Sequence, residues 1–377
     1  MKCIYNKEQS YALYLPSYYT TDEKYPIIYI FEPAARGSLP VRKYKDLAEE
    51  FGYILVCSNN SRNGPSEPVD RAANAIFSDT RTRFTIDTNR IYTMGFSGGA
   101  RVAARMAIEL KNVKGVIACG AGFPSDYKPL VSYKFSYVGL VGDKDMNYYE
   151  LKSLENQLTN CRINNFIESF KGEHTWPPVD EMHKGFVYLK FDAMKRKLIG
   201  IDTALVLNFK REKLEDLQKE KNVFTRYLCY NNLLKHINGL TEINEIEKGI
   251  NKLGNESIVL QRLETIQNYL KMESELSVFL GGAFYNPEKY SMQWWKNKAD
   301  ELIKNTKDSS NIDMLYLSIR MINKVYLMAY ENYTQNRETL SLDQALRNFK
   351  IASLVKPESP YPDYYLASIY AKTRRMG

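Results

Sequence analysis

The chain has 377 residues, 44% apolar and 25% charged, with a net charge of +8. Those proportions suit a folded chain with a sizeable core and exclude a disordered or low-complexity one. No run of 18 apolar residues offers a membrane span. The basic residues are scattered without a block of like charge, so nucleic-acid binding is not expected.

Tyr11 to Pro16 reads as a strand at once. Apolar runs predict further strands over 27–31, 53–57, 91–94, 116–119, 137–141 and 166–170. Helix-like stretches lie between them over 41–51, 67–78, 100–110 and 148–157. This alternation predicts an α/β class, a mostly parallel sheet covered by helices on both faces. In such sheets ligands bind beyond the C-terminal ends of the strands.

From about residue 185 onward the strand signal disappears. A helix over 186–198 is expected to close the first domain. The predicted division is therefore 1–200 and a helical 201–377, the length favouring two domains over one. Helical spacing is plain in Ile258, Leu260, Leu263, Ile266 and Leu270, and in Met314, Leu317 and Met321. Trp294 and Trp295 are adjacent, so on a helix they point apart. One is expected in the core, the other at a partner surface or substrate rim. Near the end, Ala345, Phe349, Ala352 and Pro357 are followed by Leu366, Ala367 and Tyr370. These positions resemble one tetratricopeptide repeat over 341–373, in which small residues let paired helices pack closely. An ordinary helical bundle is the alternative, and a protein partner for these helices is an open expectation.

The chemistry concentrates at Gly95-Phe96-Ser97-Gly98-Gly99, between an apolar run and a helix-like run. A G-x-S-x-G segment in a strand–turn–helix context exposes a serine hydroxyl at a strained turn. A nucleophilic serine needs a general base. Only three histidines are present: His174, His183 and His236. His174 follows the strand at 166–170 and is the candidate base, the alternative being a loop histidine that caps the next helix. An acid on a loop between serine and histidine would orient it. Asp145, after the strand at 137–141, is the choice, with Asp143 as runner-up. Asp143, Asp145 and Asn147 also suggest the start of a calcium loop, but Tyr148 stands where that loop needs glycine. No metal or cofactor is expected. The five cysteines show no zinc or disulfide spacing, and Cys57 and Cys119 read as buried thiols. The compartment is left open. A chain whose leader had been removed would also enter strand-like sequence at once, and in that case secretion or a periplasmic location is the expectation.

The first roughly 200 residues resemble an α/β-hydrolase branch. It holds feruloyl and acetyl-xylan esterases, polyhydroxybutyrate depolymerases and dienelactone hydrolases. The resemblance rests on Tyr11 to Pro16, Tyr92 to Gly99, Gly142 to Asp145, and Gly172 to Pro177 with its G-x-H-x-W-P. It implies Ser97 as nucleophile, Asp145 as acid, His174 as base and the Gly98 N–H as one oxyanion donor. One segment departs from the pattern. The usual His-Gly pair is replaced by Glu32-Pro33-Ala34-Ala35-Arg36-Gly37, and Pro33 has no N–H to give. The second donor then falls to Ala34, or to Ala35. Arg36 either binds an acidic substrate group or forms a surface ion pair with Glu32. The loop Ser58 to Gly64, with Asn60, is expected to border the site and suits hydroxyl-rich ligands or a plain loop equally. Trp176 is a further candidate for the pocket. The expectation is a serine esterase cleaving acyl or feruloyl esters of a carbohydrate or small alcohol. The alternative is a protein-interaction role for the helices beside a weak or vestigial hydrolase domain.

Overall fold

The computed structural model describes residues 1–336 and 338–373. Contacts group the chain into two compact units. One is Met1–Gly142 with Glu150–Leu263, and the other is Asp143–Tyr149 with the chain from Glu264 onward.

The first unit begins with β1 (Tyr11–Tyr14), β2 (Tyr25–Phe31), α1 (Ser38–Phe51), β3 (Ile54–Ser58) and α2 (Ser66–Arg83). It continues through β4 (Ile86–Phe96), α3 (Gly98–Glu109), β5 (Val113–Cys119) and β6 (Ser136–Gly142). Next come α4 (Tyr148–Asn160), β7 (Asn165–Phe170) and α5 (Val179–Lys195). The strands form one sheet in the order β1-β3-β2-β4-β5-β6-β7. Only the β1–β3 pair is antiparallel. Every residue of β2, β3 and β6 is buried. That is why these strands read as unbroken apolar runs rather than alternating ones, since helices cover both faces of a parallel sheet.

Three helices follow: α6 (Thr203–Lys219), α7 (Val223–Ile237) and α8 (Asn244–Gly254). Asp202 and Asn222 cap the first two, each accepting from the backbone N–H three residues on. Val206, Leu217, Leu233, Ile237 and Ile246 bury against Val187, Phe191 and Met194 of α5. Residue 200 thus falls between α5 and α6, while the first unit runs on to Leu263.

His236 locks α7 in place. Its Nδ1 lies 2.7 Å from the Asn232 carbonyl, and its ring meets Phe166 edge-on at 4.6 Å. Full burial pushes its pKa down from 6.5 to about 4. Between those values the unfolded chain carries the proton and the folded one does not, so stability falls as the pH is lowered. The shift corresponds to about 3 kcal/mol, fully present above pH 6.5 and lost towards pH 4. Thermal melts of wild type and His236→Phe across that window are expected to differ in slope, the variant being the flatter. Parallel profiles would contradict this account of His236.

In the second unit α9 (Ser257–Phe284, shared with the first) precedes α10 (Met292–Asn305), α11 (Ile312–Gln335), α12 (Leu342–Val355) and α13 (Tyr361–Thr373). Ser341 opens α12 with a capping box completed by Gln344. Trp295 is fully buried among these helices, while Trp294 is half-buried between Tyr290 and Phe279. Ala345, Phe349 and Ala352 face inward, and Phe349 stacks on Tyr365 at 4.6 Å. Ala367 and Tyr370 are exposed.

Candidate active site

The β4–α3 turn places Ser97. Its backbone has φ 53° and ψ −124°, a conformation rarely held by a residue with a side chain. Its N–H donates to the Cys119 carbonyl at the end of β5, 2.8 Å away. The flanking glycines are forced by backbone contact. A Cβ on Gly95 would sit 2.0 Å from the Gly99 carbonyl oxygen, and one on Gly99 would sit 2.1 Å from the Phe31 carbonyl oxygen. So the elbow is wedged against the end of β2. Gly98 is the first residue of α3, where an N–H has no intrahelical acceptor.

His174 stands on the loop after β7. Its Nε2 is 2.9 Å from Ser97 Oγ, a hydrogen-bond distance. The imidazole packs on Phe96, ring centres 4.6 Å apart. Trp176 supports this arrangement from below, 5.5 Å from Phe96 and 5.9 Å from Tyr44. Trp176 is 6% exposed and packs in the core against Phe96 and Tyr44. Tyr44 Oη and Lys43 Nζ donate to the carbonyls of Pro177 and Trp176, tying the histidine loop to α1. The other two histidines lie elsewhere: His183 beside Glu50 at 3.1 Å, His236 in the α7 packing.

The end of β6 touches the histidine loop directly. A Cβ on Gly142 would fall 2.4 Å from the Gly172 carbonyl oxygen and 2.5 Å from that of Glu173. Asp145 comes three residues later, in a turn where its Oδ1 accepts from the Asn147 N–H at 2.8 Å and its side chain is buried. Asp143 is half-buried. Within the second unit, Arg320 grips this turn. It donates to the Asp143 carbonyl at 2.7 Å, stands 4.5 Å over the Tyr148 ring, and pairs with buried Glu273 at 2.5 Å.

The segment expected to supply a second oxyanion donor is differently employed. The Ala34 N–H donates to Glu32 Oε2 at 2.8 Å, and the Ala35 N–H to the Glu32 carbonyl at 3.0 Å. Ala34 is therefore not an available donor, because its N–H is already engaged by the buried carboxylate two residues before it. Burial opposes ionisation of Glu32, but Arg36 and the backbone N–H groups of Arg36 and Ala34 outweigh it and hold its carboxyl below the usual range. Arg36 gives Nε and Nη2 to Glu32 Oε1 at 3.0 and 2.5 Å, so the ion-pair reading of Arg36 describes this structure.

Asn60 is spent on the chain's beginning, accepting from the Ser10 N–H at 2.8 Å and donating to the Glu8 carbonyl at 3.1 Å. It does line a cleft of about 300 Å³, with Gln9, Arg62, Asn63, Pro65 and Arg71. One residue that no motif marks stands at the elbow. A Cβ on Gly98 would lie 2.0 Å from Asn63 Oδ1 and 3.0 Å from its Nδ2. The Asn63 backbone N–H donates to the Pro33 carbonyl at 2.8 Å. The sequence placed the loop Ser58 to Gly64 beside the site but did not single out Asn63; the glycine after Ser97 is the local trace of this close approach.

A mostly parallel sheet, with a serine at a strained central strand–helix turn and a histidine after the last strand, is the α/β-hydrolase arrangement. Searches of family profiles and of curated proteins return no match. Solved structures similar to parts of the chain include S-formylglutathione hydrolase of Staphylococcus aureus, at 12% identity and a TM-score of 0.41, covering 48% of this chain and 90% of that one. Another is a mutant feruloyl esterase module from Clostridium thermocellum complexed with sinapinate, at 14% identity and 0.39, covering 48% of this chain and 82% of that one. A third is an esterase of Pyrobaculum calidifontis, at 14% and 0.39, covering 49% and 80%.

Proposed function

We propose that this chain is a serine hydrolase of carboxylic esters. The observation that carries this is the 2.9 Å approach of His174 Nε2 to Ser97 Oγ at a strained β4–α3 turn. With Nε2 unprotonated, the Ser97 O–H donates to it. Ser97 Oγ then attacks the ester carbonyl carbon while the proton passes to His174. The carbonyl oxygen becomes an oxyanion beside the Gly98 N–H. Collapse of the tetrahedral intermediate expels the alcohol, which takes the proton from His174. Water repeats the sequence on the acyl-enzyme and releases the acid.

Asp145 is the acid assigned to orient and stabilise the imidazole. The support is its position three residues beyond β6, whose last residue meets the histidine loop. The cleft beside Asn63, with Gln9, Asn60, Arg62 and Arg71 among its lining residues, offers donors and acceptors for the hydroxyl-rich part of an ester, a carbohydrate acyl or feruloyl ester or that of a small alcohol. The chemistry as written needs no metal or cofactor.

A panel of p-nitrophenyl acetate, methyl ferulate and acetylated xylo-oligosaccharides tests this. Turnover of at least one member, absent from Ser97→Ala, is expected. Equal rates for wild type and variant across the panel would overturn the proposal.

A further inference from the structure

We infer that the side-chain amide of Asn63 is the second oxyanion donor, in place of the backbone N–H that the β2–α1 turn would ordinarily supply. The inference rests on the serine-hydrolase reading above and adds a catalytic residue to it.

Four observations converge. First, the turn after β2 has no N–H to offer at the expected place: Pro33 lacks one, and those of Ala34 and Ala35 are held by Glu32. Second, Asn63 is anchored in the gap that this leaves. Its backbone N–H reaches the Pro33 carbonyl at 2.8 Å, and the neighbouring Arg62 forms a β-bridge with Ala34. So it sits between the two segments from which an α/β-hydrolase draws its two donors, the β2–α1 turn and the residue after the nucleophile. Third, its amide lies against that second segment, 2.0 Å (Oδ1) and 2.7 Å (Cγ) from where a Gly98 Cβ would be. Any side chain at Gly98 would evict it, which explains why glycine follows the nucleophile here. Fourth, among the described residues no group bonds to either end of this amide, and Asn63 is exposed on the wall of the cleft. Rotation about its last side-chain torsion is soft, so Nδ2 can turn toward a developing oxyanion at little cost.

An amide N–H₂ in this role acts as a backbone N–H does. It donates to the charge that forms only in the transition state, so it raises kcat and leaves ground-state binding nearly unchanged. The buried Glu32 carboxylate is occupied by Arg36 and the N–H groups of Ala34 and Arg36.

The test is steady-state kinetics of wild type, Asn63→Ala and Asn63→Asp on the best ester of the panel. It is joined by inhibition with a trifluoromethyl ketone, which binds the serine as a hemiketal oxyanion, and by thermal melts. Asn63→Ala is expected to lower kcat by about 10²- to 10³-fold, the cost of one lost donor. KM should stay within about twofold, and trifluoromethyl ketone affinity should fall by a similar factor to kcat. Asn63→Asp, which keeps the shape but puts an acceptor where the donor was, should lose at least as much. Unchanged melting curves would separate this loss from misfolding. An Asn63→Ala variant with kcat within threefold of an active wild type would overturn the Asn63 assignment alone. Absence of any Ser97-dependent turnover in the wild type would overturn the hydrolase reading and this inference together.

Discussion

Ser97→Ala is expected to lower kcat for ester hydrolysis by about 10⁶-fold, the loss typical when the nucleophile of an acyl-transfer triad is removed. His174 then has no hydroxyl at 2.9 Å to activate, and no acyl-enzyme forms. The fold should be untouched, because alanine inherits the same backbone conformation. A companion variant exposes the strain at this turn. Ser97→Gly should be as inactive as the alanine form yet melt higher, since a positive φ of 53° costs a residue with a side chain about 1 kcal/mol that glycine does not pay. Retained turnover in Ser97→Ala would mean that another group performs the chemistry.

The second large effect falls on stability. Gly99→Ala should destabilise the first unit by more than about 4 kcal/mol, in the range reserved for severe structural conflict. The added Cβ would lie 2.1 Å from the Phe31 carbonyl oxygen, 2.7 Å from its carbon and 3.3 Å from the Glu32 nitrogen. All three are backbone atoms at the end of a fully buried central strand, so nothing nearby can rotate aside. The melting temperature should drop by about 10 °C or more, if folded protein is recovered at all. Gly282→Ala, on an exposed face of α9 with no atom within 4 Å of its Cβ, is the control. It should be neutral or slightly stabilising, by up to about 1 kcal/mol. A Gly99→Ala protein melting within about 2 °C of wild type would contradict the wedged geometry of the elbow.

Much of the fold was legible because the sheet is parallel and buried on both faces. Runs such as Ile27 to Phe31 and Tyr137 to Val141 contain almost nothing polar, and each became a strand. The start of β4 was not legible, since Asp87 to Arg90 lie between the paired residues Ile86 and Ile91, where the register shifts, with their side chains partly or fully exposed. The division at residue 200 followed composition, whereas the packing of α6, α7 and α8 against α5 follows from which apolar faces meet, something helical periodicity alone does not reveal.

The site divided in the same way. Ser97 and His174 carry local signatures, a strained turn flanked by glycines and a loop histidine in a chain poor in histidine, and they stand 2.9 Å apart. The hydrogen bond of the Ala34 N–H and the packing of Trp176 follow from details a sequence does not encode. The Ala34 N–H is lost to a particular rotamer of Glu32, and Trp176 is drawn under Phe96 and Tyr44 by aromatic packing. The loop Ser58 to Gly64 was expected beside the site, but its polar residues could not be told apart: the approach of Asn63 to Gly98, distant in sequence, arises only once β3 and β4 are laid into one sheet.

The central claim is an activated serine at the β4–α3 turn. Incubating the protein with a fluorophosphonate and mapping the adduct by peptide mass spectrometry tests it most directly. One phosphonylated residue, Ser97, with no labelling of Ser97→Ala, is the predicted result. Well-folded wild-type protein that takes up no probe, or takes it up at another residue, would contradict the account.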